Sequence, residues 1–231
     1  MSLAILRQKV PLFVGFGPPE FESLEKCLVR RQYPGGQTLF HMGDEGGSLH
    51  LIERGRVKVT IPSSSGEELI LAMLGAGELL GELSLIDGKP RSATVQALEK
   101  TETLCLHRKD LLALMRDRFD VVEKILEVLA RRIRDTDLLL AERNFLDITS
   151  RLAKKILDLG DTFGIREGGQ VRIGVKVTQK DLASMIGSTR ESINKQLKAL
   201  RDQGLVRMCG GTIEILNRER LLRKARIFPK P

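Results

Sequence analysis

Between residues 118 and 143 the apolar side chains Val122, Leu126, Leu129, Ile133 and Leu140 follow one another at steps of four and three, with Thr136 filling the remaining seam position. That spacing is a heptad seam and predicts one long helix that packs along a partner helix. The run is short for a free-standing coiled coil and suits a helix that pairs two folded domains. Before it, the period is two. Val57, Val59 and Ile61 alternate with Lys58 and Thr60, and similar short runs occur at 37–40, 49–52, 69–74, 95–97 and 103–106. Glycine-bearing turns at 34–36, 43–47 and 62–66 separate them, which predicts a sandwich or roll of short strands. One short apolar helix is expected ahead of them, over 19–28.

After the seam the period returns to that of a helix. Asp147 is a good N-cap for a helix burying Ile148, Leu152, Ile156 and Leu159, which Gly160 is expected to end. Val171, Ile173, Val175 and Val177 alternate behind Gly168 and Gly169, predicting a small hairpin. Thr178 can cap a helix that buries Leu182, Ala183 and Ile186. Gly187 supplies a tight turn, and Ser188 is the expected cap of a second helix with the apolar stripe Ile193, Leu197 and Leu200. A wing-like hairpin folds back around Gly210 and Gly211. The fold class is therefore α+β: an antiparallel β-domain over 1–117, a dimerisation helix over 118–146 and a winged helix-turn-helix over 147–231.

Composition sharpens the division. Residues 147–231 hold 18 Lys and Arg against nine Asp and Glu, whereas the 20 and 21 in the rest nearly cancel, so the whole net charge of +8 sits behind the seam. A basic bias confined to one domain fits a polyanion such as nucleic acid, or else a solubilising surface. No apolar run approaches the ~20 residues of a membrane span, and the N-terminus lacks a cleavable signal pattern, so a cytoplasmic chain without a membrane partner is expected. Cys27, Cys105 and Cys209 stand far apart and predict buried free thiols rather than a metal site. No nucleophile–base pair, metal set or Walker loop is visible, which argues against an enzyme.

Two stretches carry candidate chemistry. The first is GAGELLGELSLIDGKPR over 75–91. Glycines let backbone N–H groups approach an anion, and Gly81, Glu82, Leu83 and Ser84 form the first turn of a short helix. Arg91 and Ser92 could add a guanidinium fork and a hydroxyl, with Glu82 accepting from sugar hydroxyls. A glycine-rich loop with an Arg–Glu surface pair is the alternative. The second is the helix after Gly187. At about 100° per residue, Glu191, Lys195 and Lys198 lie opposite its apolar stripe, with Arg190 and Asn194 on the flank. Such a face suits the major groove: Arg or Lys meets guanine, Glu meets cytosine, Asn meets adenine. Ser188 and Glu191 also satisfy a capping box, and Lys195 could simply be solvated.

Taken together, residues 33–60, the GELSLIDGKPRSATV segment and TQKDLASMIGSTRESINKQLKALRDQGLV resemble the Crp/Fnr superfamily of transcription regulators, over about 13–216. The resemblance implies a β-roll with a cyclic-nucleotide phosphate-binding cassette. Gly81, Glu82, Leu83 and Ser84 would form its short helix, Glu82 would hold the ribose hydroxyl, and Arg91 and Ser92 the cyclic phosphate. It further implies that Thr136 reaches the adenine, and that Asp137, offered by the opposite subunit where a serine is familiar, sits beside it. Arg190, Glu191 and Lys195 fall on base-reading positions, Lys195 replacing the usual arginine; Thr178, Gln179, Ser188 and Thr189 fall on phosphate-contacting ones. The implied protein is a homodimer on a pseudo-palindromic double-stranded site, with cyclic AMP as allosteric effector, no cofactor, and RNA polymerase as a further partner. Relatives that hold an iron–sulfur cluster carry an N-terminal cysteine group that is absent here; haem-binding relatives use a histidine, and His41, His50 and His107 are available, but a lone histidine on a strand is more often packed or exposed than a ligand. A regulator without ligand, or one that senses another metabolite, stays open. The basic stretch 218–231 falls outside the resemblance.

Overall fold

The computed structural model describes residues 17, 24–167 and 170–226. The chain forms two compact units, Met1–Ile133 and Arg134–Pro231.

The N-terminal unit is built from β1 (Leu28–Tyr33), β2 (Thr38–Phe40), β3 (Ser48–Arg54), β4 (Val57–Pro62), β5 (Glu68–Leu74), β6 (Leu79–Leu80), β7 (Thr94–Ala97) and β8 (Thr101–His107). They pair antiparallel in two four-stranded sheets, ordered β1-β8-β3-β6 and β2-β7-β4-β5. Among the described residues the helices α1 (Glu82–Asp87), α2 (Arg108–Asp117) and the start of α3 (Phe119–Phe145) complete it. The expected helix over 19–28 lies partly outside the described residues. Leu24 and Glu25 are helical, but Leu28 already opens β1, whose exposed charged side chains hide its strand character. Pairing with β8, not pattern, makes it a strand.

Strand β3 decides the architecture because both of its faces are buried. On one face Leu49 and Leu51 join Leu85, Leu104, Leu106 and Leu111, together with Val121 and Ile125 of α3. On the other, Ile52 meets Val57, Leu74, Leu80 and Val95 inside the roll. The first half of α3 is thus a core helix as well as the carrier of the heptad stripe. Its inward stripe uses Val121 and Ile125, which the heptad reading passes over, and half-buries Val122 and Leu129. The seam residues Leu126, Ile133 and Leu140, seven apart, stay 56%, 62% and 57% exposed.

The second unit takes the end of α3, then α4 (Ile148–Phe163), β9 (Gly164–Glu167), β10 (Gln170–Ile173), α5 (Gln179–Ile186), α6 (Arg190–Asp202), β11 (Val206–Cys209), β12 (Thr212–Ile215) and α7 (Arg218–Ala225). Its sheet runs β11-β12-β10-β9. Asp147 caps α4, accepting from the Ser150 N–H at 2.8 Å. Gly160 does not end that helix. It lies inside it, where a Cβ would come within 2.7 Å of Ile215 Cδ1, so the glycine admits the hairpin and α4 continues to Phe163. Only Gln170–Ile173 of the predicted alternating run is strand; Val175 and Val177 are buried beyond it. Lys154 Nζ binds the buried Glu142 at 2.6 Å, tying α4 to the end of α3.

Candidate functional site

The roll brings the predicted phosphate residues together. Gly81 has φ +81°, and a Cβ there would lie 2.3 Å from Arg91 Nη1, so only glycine permits this approach. Gly46 serves similarly, its missing Cβ leaving room for Ser84. Arg91 is 5% exposed. Its Nη1 donates to the Gly81 carbonyl at 2.9 Å and its Nη2 to the Ser48 carbonyl at 2.7 Å, while the guanidinium carbon lies 4.2 Å above the centre of the Phe40 ring. Burial pulls its pKa below the ordinary value, with Glu82 and Asp44 pulling it back up. No carboxylate among the described residues forms an ion pair with Arg91, and its buried Nε has no partner. The helix α1 that starts at Glu82 has no side-chain cap. Leu83 is 43% exposed beside the buried Glu82 and Ser84, and Ser92 is exposed next to Arg91.

Glu82 is less free than the sequence suggests. It is buried, and Oε1 accepts from Arg132 Nη1 of α3, while Oε2 is left without a partner. Arg132 is the residue that sequence reasoning passes over. It lies outside the glycine-rich stretch and off the heptad seam, so neither pattern marks it. Thr136 and Asp137 follow on α3, both exposed, in the stretch assigned to the C-terminal unit.

In the second unit the helix-turn-helix has its expected stripe: Ile193, Leu197 and Leu200 are buried on α6, and Leu182, Ala183 and Ile186 on α5. Thr178 caps α5 in a reciprocal capping box with Asp181, and Gly187 turns with φ +63°. The cap of α6 is Thr189, not Ser188. Thr189 Oγ1 accepts from the Ser192 N–H at 3.2 Å, whereas the Ser188 N–H closes the preceding helix by donating to the Ala183 carbonyl, so no Ser188–Glu191 capping box forms. Arg190, Glu191, Asn194, Lys195 and Lys198 are all exposed. Gln179 Nε2 donates to Asn194 Oδ1 at 3.2 Å, so one side of the Asn194 amide is held toward α5.

A cyclic nucleotide-binding domain model matches residues 30–118, and a Crp-like helix-turn-helix domain model matches 150–224. The chain is 35% identical to the CRP-like cAMP-activated global transcriptional regulator of Mycobacterium tuberculosis, over 93% of its own length and 96% of that protein. It is 38% identical to the cyclic AMP receptor protein of Thermus thermophilus, over 89% and 92%. The chain belongs to the Crp/Fnr family. Among solved structures, the c-di-GMP-responsive global regulator CLP of Xanthomonas campestris aligns with this Crp/Fnr protein at TM-score 0.73 and 26% identity, over 85% of this chain and 97% of that one. The family is one of transcription regulators, not of enzymes. The helix-turn-helix match reaches residue 224, so most of α7 lies inside the family resemblance rather than outside it, as the sequence pattern suggested.

Two further features of this Crp/Fnr protein differ from expectation. Only Cys105 is a buried thiol; Cys27 is half-buried and Cys209 is exposed on the wing. Cys105 belongs to a polar cluster in the roll that no motif announces. His50 Nδ1 lies 3.2 Å from Cys105 Sγ, and His50 Nε2 lies 3.1 Å from the hydroxyl of Ser48, whose carbonyl holds Arg91. Among the described residues no cluster of His, Cys, Asp and Glu could hold a metal ion, and no helix is long and apolar enough to cross a membrane.

Burial, and then the charges of Arg91 and Arg31, lower the His50 pKa from 6.5 to about 4. The folded chain therefore keeps His50 neutral where the unfolded chain protonates it. Stability is unaffected above pH 6.5 and is lost as pH falls from 6.5 toward about 4. The full loss is about 3 kcal/mol, at about 1.4 kcal/mol per pH unit of separation. Urea unfolding of wild type and His50→Gln across that window should show this slope in the first and its loss in the second. Parallel curves would contradict the assignment.

Proposed function

We propose that this Crp/Fnr regulator is a cytoplasmic homodimer that binds cyclic AMP in its β-roll and, so loaded, reads a pseudo-palindromic DNA site. The observation that carries the effector half is the state of Arg91. A buried guanidinium held by two carbonyl dipoles and an aromatic face has no ionic partner, and a buried charge without one is costly. A phosphate diester beside Gly81, Leu83, Ser84 and Ser92 would supply that partner. Glu82 would then exchange or share Arg132 to accept from the ribose hydroxyl. Thr136 would meet the base from one subunit and Asp137 from the other. The divisions 1–117, 118–146 and 147–231 express this reading as sensor, dimer helix and DNA-binding domain.

On the DNA side, Arg190, Glu191, Asn194, Lys195 and Lys198 would face base edges or phosphates from α6. Thr178, Gln179, Ser188 and Thr189 would contact the backbone. Cyclic AMP must favour the DNA-competent arrangement, or it could not shift the equilibrium. Asp137 supports a second reading, a guanine-bearing effector. An ionised carboxylate only accepts hydrogen bonds, and guanine presents N–H donors on its Watson–Crick edge. Titration calorimetry with cyclic AMP, cyclic GMP and cyclic di-GMP separates these. Saturable heat with cyclic AMP alone is expected. Heat only with a guanine nucleotide would replace the effector, and none with any of the three would remove it.

A further inference from the structure

Helix α7 is the part of the DNA-binding unit that the proposed function leaves unused. Its fully buried Leu221 and Ala225 fasten it, while Arg220, Arg223, Lys224 and the following Arg226 are exposed. Together with Asp147 and Thr149 at the start of α4 these four cations line a cleft of about 510 Å³. The one carboxylate facing it is already committed. Asp147 accepts from the Ser150 N–H and lies 3.7 Å from Arg226 Nη1; those contacts, the backbone hydrogen bond first, hold its pKa below the usual carboxylate value. Arg223 pairs with Glu219 on the surface, a contact that water screens heavily. No carboxylate among the described residues pairs with Arg220 or Lys224.

The cleft reaches α6. Thr149, in its wall, donates from Oγ1 to Gln196 Oε1 at 2.8 Å, and Gln196 follows Lys195 on α6. Contact with α6 and four cations facing a single carboxylate favour a phosphodiester backbone over a protein surface, since Arg and Lys are the usual partners of backbone phosphates. We propose that α7 is a second DNA contact, with Arg220 and Lys224 binding backbone phosphates that flank the half-site read by α6. The proposal rests on α6 being the recognition helix. It implies a site longer than its base-specific core, with sequence-independent affinity coming from the flanks.

The test uses the full-length protein and a duplex it selects from random sequence, prepared with and without flanking base pairs. On the long duplex the Arg220→Gln/Lys224→Gln variant should have a shallower salt dependence, by about 0.9 for each phosphate it no longer neutralises, or about 2 per subunit. Its base preference should be unchanged, and on the trimmed duplex it should match wild type. Neither side chain is in the core, so the melting temperature should hold. If the variant keeps the wild-type salt slope on the long duplex while Lys195→Ala alters base preference, α6 stands as the reader and the α7 proposal falls. If Lys195→Ala also changes nothing, the assignment of α6 has failed and takes this proposal with it. Unchanged DNA affinity combined with a loss of transcriptional output would point to a protein partner and equally overturn it.

Discussion

Arg91→Ala should abolish the response to cyclic nucleotide while leaving weak, non-specific DNA binding intact. The wild-type guanidinium can form two charge-assisted hydrogen bonds to a phosphate, each contributing ~1.5–3 kcal/mol. Removing both predicts an affinity decrease of about 100-fold to 10,000-fold, at tenfold per 1.4 kcal/mol. The carbonyls of Gly81 and Ser48 are deprived of their donors as well, so the roll itself should be modestly destabilised. Arg91→Lys separates the two effects. It keeps the charge, but a compact ammonium cannot reproduce the planar fork that spans two oxygens. Partial affinity is therefore expected from the lysine variant and none measurable from the alanine variant. The DNA-binding unit should be indifferent to both, because the net basic charge lies in 147–231. Calorimetry for the nucleotide and fluorescence anisotropy for DNA, at one salt concentration, check the set. Wild-type nucleotide affinity in Arg91→Ala would remove Arg91 from the proposed site.

The same residue shows how far a sequence can be read. Gly81, Glu82 and Arg91 were legible as a group because their chemistry needs close backbone approach, and glycine is the residue that provides it. The partners they hold were not. Nothing in the order of residues places Phe40 under Arg91 or sends Arg132 to Glu82, since those contacts follow from the pairing of strands and the docking of α3. The polar cluster around His50 is hidden for a related reason. On a strand buried on both faces the alternation of polar and apolar residues disappears, so His50 and Cys105 look like interruptions in apolar runs.

Helix ends behave differently again. Asp147 and Thr178 cap as their positions suggest, but Ser188 and Thr189 are both good caps and sequence alone does not choose. The tight turn at Gly187 settles the matter by engaging the Ser188 N–H, leaving Thr189 to start α6. Gly160 misleads because a glycine can mark a stop or a close approach. Here the approach of Ile215 is the cause. In each case the local signal was real, and a tertiary contact decided which of its two meanings applied.

Ile133→Glu should convert the protein to a monomer without unfolding it. The residue is 62% exposed on α3, midway between Leu126 and Leu140 at seven-residue steps. These positions are apolar, aligned and not used by the core that Val121 and Ile125 join. A two-fold pairing of α3 would bring both copies of this stripe together. Burying an isoleucine fully is worth ~1.5–3 kcal/mol, and the substitution removes that from both helices. It also sets two carboxylates against each other, so a rise in the dimer dissociation constant of at least about 100-fold is expected, at tenfold per 1.4 kcal/mol. Sedimentation at micromolar protein should show wild type as a dimer and the variant as a monomer with an unchanged circular dichroism spectrum. Because a palindromic site needs two recognition helices held together, affinity for the full site should fall to that for a half-site. Val121→Ala supplies the contrast. It should lower the melting temperature of the roll, since Val121 is fully buried in its own protomer, while leaving the α3 pairing surface untouched. A glutamate variant that remains dimeric would mean that Leu126, Ile133 and Leu140 face solvent in the active protein, and that the regulator pairs through another surface.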